Sequence, residues 1–124
     1  MRSEHVGTLV VVQQLPSGLR PVAILTDRDI VVEGVARRLE ELDSLCVGDI
    51  ASRSLVTVGQ DWDLDHALET LSRAGIRRAP VVDEEGILVG ILAVDDLLES
   101  FASRFVAFVG VISRELRNEQ QCRA

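Results

Sequence analysis

The stretch VAILTDRDI at residues 22–30 recurs as VGILAVDDL at residues 89–97, 67 positions later. The run VGTLVVV at residues 6–12 has a counterpart in IRRAPVV at residues 76–82, 70 positions later. Each copy reads as a β-strand, a turn that contains glycine, a second strand and the start of a helix. A repeated segment of this kind predicts two similar units in one chain.

The second copy extends further toward the N-terminus than the first. Residues 54–58 (SLVTV) predict a short strand, and Asp61 to Asp63 open a helix that Gly75 ends as a left-handed cap. The complete unit therefore reads β-α-β-β-α. The first copy lacks the leading strand and most of the first helix, because Met1 falls where the end of that helix is expected.

The composition indicates an ordinary soluble globular domain. The chain has 124 residues, of which 47% are hydrophobic and 27% charged, and its net charge is −7. That negative charge disfavours binding to nucleic acid or to anionic membranes. The longest later apolar stretch, residues 105–112, is far shorter than the ~18 residues needed to span a bilayer. We therefore expect a cytoplasmic protein with no nucleic-acid partner and no membrane partner.

Neither metal binding nor catalysis has a signature in this sequence. Cys46 and Cys122 form no CxxC pair, and the two histidines lie far apart, so no metal site is predicted. We expect Cys46 to be a buried small side chain in the linker between the copies and Cys122 to be exposed. The chain has no Ser/His/Asp set, no P-loop and no GxGxxG motif, and we predict that it is not an enzyme.

The most specific motif is Thr26-Asp27-Arg28-Asp29, at the end of a predicted strand. One interpretation is a helix start, in which Thr26 caps the helix and Asp29 complements the helix dipole. The spacing approaches that of a capping box, with Asp where Glu or Gln is usual. The other interpretation is a ligand site, and the two roles are compatible.

These segments together resemble the tandem pair of the cystathionine-β-synthase (CBS) domain family. The resemblance rests on the two copies and on the linker VGDI at residues 47–50, and it covers nearly everything from His5 to Leu98. It implies an α/β (α+β) fold of two β-α-β-β-α units with pseudo-twofold symmetry. The expected division is an incomplete first unit with its linker at residues 1–47, and a second unit with an extended C-terminal helix at residues 48–124.

The resemblance also implies that adenosine-containing ligands bind in clefts between the sheets and regulate another protein. The family's Ser/Thr-x-x-Asp motif contacts the ribose, which assigns that role to Thr26 and Asp29, with Arg28 as a further phosphate contact. Basic residues before the second-copy strand contact phosphates in the family. That role falls to Arg77 or Arg78, because successive strand residues face opposite ways.

The remaining expected contacts come from apolar walls and from the opposite strand. The resemblance implies that Thr57 holds the adenine or ribose from the other side, and that Ile24 and Ile76 are apolar walls for the adenine. No cofactor is required, and the expected ligand is AMP, ADP or ATP, with NAD and S-adenosylmethionine as alternatives. In the second copy Asp96 matches the ribose-binding Asp, but Ala93 replaces the hydroxyl, so this second site is expected to be weak or empty.

An apolar stripe marks the C-terminal helix. Its members fall at spacings of four, three, four and four, and they are Phe101, Phe105, Phe108, Ile112 and Leu116. The stripe can pack on this chain's own sheet or form a subunit interface, and we expect a homodimer held largely by this helix. The main functional hypothesis is a regulatory, signal-transducing module that acts on an unidentified partner. The alternative is a structural CBS-like dimer that binds no ligand.

Overall fold

The computed structural model describes residues 1–52 and 54–123. The described chain divides into two compact units, of which the first is Met1–Leu92 and the second begins at Ala93. The division into residues 1–47 and 48–124 follows the sequence repeat rather than compactness and stays a prediction.

An antiparallel hairpin opens the first unit. β1 (Thr8–Leu15) pairs with β2 (Gly18–Thr26), in a register that sets Thr8 opposite Thr26 and Leu15 opposite Gly18. The pairing is irregular after Val11, where Pro21 stands opposite Val12 and offers no backbone N–H. The predicted first hairpin is therefore present, and its register places the two ends of the strands, Thr8 and Thr26, side by side.

The segment after β2 is helical but changes its winding three times. It begins as α1 (Asp27–Asp29), widens to a π-helix (Ile30–Val35), returns to α2 (Ala36–Arg38) and tightens to a 3₁₀-helix (Leu39–Ser44). Gly34 is buried in the π-helix, and a Cβ there would lie 3.3 Å from a Leu42 methyl. The helix whose start the sequence predicts after β2 is thus irregular, and π segments of this kind are common beside functional sites.

The second sheet has the strand order β3-β4-β5. β3 (Val58–Gly59) runs parallel to β4 (Arg78–Val82), and β5 (Leu88–Ala93) completes the sheet. The predicted strand over residues 54–58 is therefore wrong in extent, since only Val58 belongs to β3. The reason is that the backbone of Ser52 pairs with Ile24 of β2, at 2.9 and 3.3 Å, whereas β3 pairs with β4. Residues 54–57 connect these two pairings and therefore belong to neither sheet.

A short α-helix, α3 (Val47–Ile50), precedes that crossing, and α4 (Leu64–Ala74) follows β3. The Asp63 carboxylate caps α4 by accepting from the His66 N–H at 2.8 Å, and Gly75 ends it with φ 67°. α4 buries Leu71, which is 1% exposed, against the unit's interior. The predicted start and stop of this helix are both confirmed.

The second unit consists of α5 (Val94–Arg123), the extended C-terminal helix that the sequence predicts. None of its residues is buried. Within the described ranges, no helix is both long enough and apolar enough to cross a bilayer.

Gly75 supplies a stability prediction. At φ 67° an L side chain is strained, and no atom lies within 4 Å of the place where a Cβ would stand, so only backbone strain opposes a substitution. Gly75→Ala should lower the free energy of unfolding in urea by about 1 kcal/mol. Gly90→Ala is the matched control, because Gly90 also has open space but no positive φ. Equal losses in the two variants would contradict this account of the cap.

Candidate functional site

The candidate site is built at the point where β2 ends and α1 begins. The Thr26 N–H and hydroxyl both donate to Asp29 Oδ2, at 2.8 and 2.7 Å, and the Asp29 N–H donates back to Thr26 Oγ1 at 3.1 Å. This is a complete capping box with Asp at the position where Glu or Gln is usual. It confirms the helix-start interpretation and holds the Asp29 carboxylate in one orientation at the end of the strand.

Arg78 brings the second repeat to this motif. Its Nη1 donates to the Thr8 hydroxyl at 3.4 Å, and Thr8 is the strand partner of Thr26. The Arg78 guanidinium, the Thr8 and Thr26 hydroxyls and the Asp29 carboxylate therefore lie at one end of the first hairpin. Of the two arginines proposed for phosphate contact, Arg78 at the start of β4 makes this link, and the exposed Arg77 precedes the strand.

Thr8 belongs to the candidate site, and the sequence reasoning missed it. It occupies in the first repeat the position that Arg78 occupies in the second, 70 residues later. Two equivalent residues of a tandem repeat meet wherever the pseudo-twofold axis passes between them. The offset of 70 was the signal that could have found Thr8.

Asp27 and Gly7 form one wall beside the capping box. The Asp27 N–H donates to the Gly7 carbonyl at 3.0 Å, and Asp27 Oδ1 accepts from the Arg28 N–H at 2.8 Å. A Cβ on Gly7 would lie only 3.1 Å from Asp27 Oδ2, so glycine allows the carboxylate to lie against the backbone that leads into β1. Arg28 is exposed on the first helical turn, next to both carboxylates.

The two predicted apolar walls, Ile24 and Ile76, both lie in the first unit. Ile24 is half-buried in the middle of β2, where its backbone pairs with Ser52. Ile76 is half-buried directly after the α4 cap, and its N–H donates to the Leu71 carbonyl at 3.1 Å. Their predicted contact with a base stays a prediction.

Thr57 lines a cleft at the C-terminal ends of β3 and β4. It is half-buried just before β3, beside a space of about 370 Å³ whose lining includes three carboxylates, with the full set being Thr57, Gly59, Gln60, Asp61, Trp62, Val82, Asp83 and Glu84. Within the part of the chain that the structure describes, no hydrogen bond joins Thr57 to Thr26 or Asp29. Its predicted role opposite the motif stays a prediction.

Asp96 lies exposed in the first turn of α5, in the second compact unit. Ala93, at the position of Thr26, is 8% exposed and has no side-chain oxygen with which to build a capping box. The polar geometry of the first motif therefore has no equivalent at Ala93, as the substitution predicts.

A second capping box occurs in the linker. The Cys46 N–H donates to Asp49 Oδ2 at 2.8 Å at the start of α3. Cys46 is exposed, so the expectation that it is buried is wrong. The reason is that Cys46 is the N-cap residue of α3, which begins at the surface. Cys122 is exposed as predicted. No cluster of three potential metal-binding side chains occurs in residues 1–52 and 54–123.

Comparison with protein-family models matches residues 47–103 to the CBS domain. Residues 47–103 of this chain are thus a CBS domain. Its curated relatives include the CBS domain-containing protein YhcV of Bacillus subtilis, which is 34% identical over 97 residues, or 78% of this chain and 64% of YhcV. The chain spans from 48% to 64% of the length of the first curated relatives that it matches.

Solved structures agree with this assignment. The CBS domain pair of protein MJ0100, in complex with 5′-methylthioadenosine and S-adenosyl-L-methionine, is 25% identical with a TM-score of 0.67, over 83% of this chain and 76% of that one. The cytosolic domain of the Mg²⁺ channel MgtE in complex with ATP is 30% identical with a TM-score of 0.57, over 78% and 35%. The predicted family and its mixed α/β fold are thus confirmed, and the incompleteness of the first unit stays a prediction.

The two capping boxes allow a stability test that needs no ligand. Asp29→Ala and Asp49→Ala each remove the carboxylate of a capping box from the first turn of a helix. Each should lower the free energy of unfolding by about 0.5–2 kcal/mol, since the N–H of the N-cap residue, Thr26 or Cys46, loses its acceptor. Urea unfolding of both variants measures this. A stability gain on Asp29→Ala would mean that the motif is strained rather than stabilising.

Proposed function

We propose that this protein is a non-enzymatic regulatory module that binds an adenosine-containing nucleotide beside Thr26, Asp29 and Arg78. The observation that carries the proposal is the Arg78–Thr8 bond, because it brings a guanidinium of the second repeat to the Ser/Thr-x-x-Asp motif of the first. A carboxylate and a guanidinium at one site suit a ligand that combines a diol with an anionic group. A nucleotide has both.

The carboxylate geometry supports a ribose at Asp29. Both bonds from Thr26 go to Oδ2, so the ribose hydroxyls would approach the other oxygen, Oδ1. Arg78 would then exchange its long 3.4 Å bond to the neutral Thr8 hydroxyl for a charge-assisted bond to phosphate, which is the stronger interaction. Arg28 is exposed on the first helical turn and would add positive charge for the same phosphates.

The ligand class follows from these charges and from the relatives. The guanidinium favours AMP, ADP or ATP, and the ATP complex of the MgtE domain supports that choice. S-adenosylmethionine is the alternative that the MJ0100 complex supports, and NAD shares the adenosine and phosphate chemistry. The weak or empty second site at Asp96 remains part of the proposal.

The proposed setting is cytoplasmic and the proposed assembly is a homodimer. Cys46 and Cys122 are both free and exposed, which suits a reducing compartment. The apolar stripe of α5 supports pairing with a second copy, because it exposes large side chains along the whole helix. Ligand binding would change the arrangement of the repeats, and a partner protein would read that change.

A structural dimer without ligand is the second candidate. It is favoured by the fact that Thr26 is hydrogen-bonded to Asp29 and Arg78 to Thr8, so each of these side chains already has a protein partner. Calorimetric titration of the full chain with AMP, ADP, ATP, NAD and S-adenosylmethionine separates the two. Binding of any one supports the regulatory module, and no heat from all five at millimolar concentration would overturn it.

Asp29→Ala should lower the affinity for the nucleotide at least tenfold. The carboxylate would accept two ribose hydroxyls, and a hydrogen bond to a charged group contributes roughly 1.5–3 kcal/mol. Asp49→Ala is the matched control, because it removes the same kind of capping box away from the site. Calorimetry of both variants should show the loss only in Asp29→Ala, and Asp96→Ala should matter much less. Equal losses in Asp29→Ala and Asp96→Ala would mean that both clefts bind.

Arg78→Ala should discriminate between ligands with and without phosphate. Loss of one charge-assisted bond should lower the affinity for ATP about tenfold or more and leave the affinity for adenosine nearly unchanged. Arg20→Ala removes the same charge from an exposed position at the other end of β2 and serves as the control. A titration in which Arg78→Ala weakens adenosine as much as ATP would show that Arg78 supports the fold and not the phosphate.

A further inference from the structure

α5 presents a continuous apolar seam that its own compact unit leaves exposed. Each member of the seam is between 46% and 72% exposed to solvent. The members are Leu98, Phe101, Phe105, Phe108, Ile112 and Leu116. The steps from Leu98 to Ile112 are three, four, three and four residues. That alternation is the spacing with which one helix packs along another in a coiled coil. The seam therefore fits a helical partner.

The seam is large enough for a stable interface. Its six residues and the flanking Val109 and Val111 are each at least 46% exposed. At about 100 Å² per side chain they offer about 800 Å² on one protomer, which is the contribution of one partner to a standard protein interface. A second copy of the same helix supplies an equal and equally apolar surface.

The charges along α5 differ between its two ends. Residues 94–104 contain three acidic side chains and one arginine, whereas residues 113–123 contain three arginines and two glutamates. Residues 105–112 between them carry no charge. A parallel pair would place the two acidic ends together. An antiparallel pair would place each acidic end beside an arginine-containing end, and it would also oppose the two helix dipoles favourably.

We propose that α5 pairs with α5 of a second copy in antiparallel orientation, an inference that rests on the homodimer proposed above. Overlap of the two seams over their central members, Phe101 to Ile112, places the twofold axis between Val106 and Ala107. Phe105 then faces Phe108 of the partner subunit. The same register sets Glu99 and Arg114 of the partner subunit at one level along the axis, so charges and apolar side chains match together.

The native cysteine at the end of α5 reports the orientation. Cys122 lies 15 residues beyond Ala107, and a helix rises 1.5 Å per residue, so the antiparallel pair separates the two Cys122 residues by about 45 Å. Cys46→Ser leaves Cys122 as the single site for a nitroxide spin label. Pulsed dipolar spectroscopy should then show a distance near 45 Å in a sample whose mass by light scattering is that of a dimer.

Each alternative result has its own meaning. A dimer with a distance below about 20 Å would show parallel helices and overturn the orientation while leaving the homodimer intact. A monomer without dipolar signal would overturn the pairing itself and indicate that α5 is covered within its own chain. Neither outcome bears on nucleotide binding, which the calorimetric titration measures separately.

Two aspartate substitutions test the seam itself. Phe105→Asp places a charge within the seam and should give monomer or aggregate. Val106→Asp places the same charge on the next residue, outside the seam, at nearly the same exposure of 71% against 72%. Light scattering should show a dimer for Val106→Asp only. Dimers of both variants would exclude the seam as the interface.

Discussion

The hydrogen bond between the Thr26 hydroxyl and the Asp29 carboxylate is the constraint on which the site depends. At 2.7 Å it joins the last residue of β2 to the first helical turn, so it determines both where the strand ends and where the carboxylate points. The antiparallel register then sets Thr8 beside Thr26, and Thr8 accepts from Arg78. Without the cap, the helix start would fray and the three polar groups would lose their common frame.

The repeat also explains why the two halves are not equivalent. Ala93 stands where Thr26 stands in the first copy, and it is buried, so the second copy uses this position for packing instead of polar contact. One half of the chain has the hydroxyl and carboxylate, and the other half supplies a guanidinium at the position of Thr8. A ligand that bridged Asp29 and Arg78 would therefore report on the contact between the repeats as well as on the motif itself.

Local signals in the sequence predicted what is local in the structure. The first hairpin, the Thr26–Asp29 cap and the Gly75 end of α4 each depend on residues within a few positions of one another. The Arg78–Thr8 bond depends on how two repeats meet, which no window of sequence contains. The strand predicted over residues 54–58 is also limited by a contact that is distant in sequence. The backbone bridge between Ser52 and Ile24 replaces sheet pairing there, and only Val58 of the predicted strand belongs to β3.

The core explains why ligand and partner should matter to this fold. Among residues 1–52 and 54–123, five of the eight buried hydrophobic residues are alanines, and the larger ones are Leu25, Val58 and Leu71. Alanine contributes little apolar area, so the hydrophobic stabilisation of such a core is small for the length of the chain. A ligand at 100 times its Kd stabilises a folded state by about 2.7 kcal/mol, which is a large share of a marginal total. With so small a core, the nucleotide proposed to bind between Asp29 and Arg78 would contribute a large share of the stability of the folded chain.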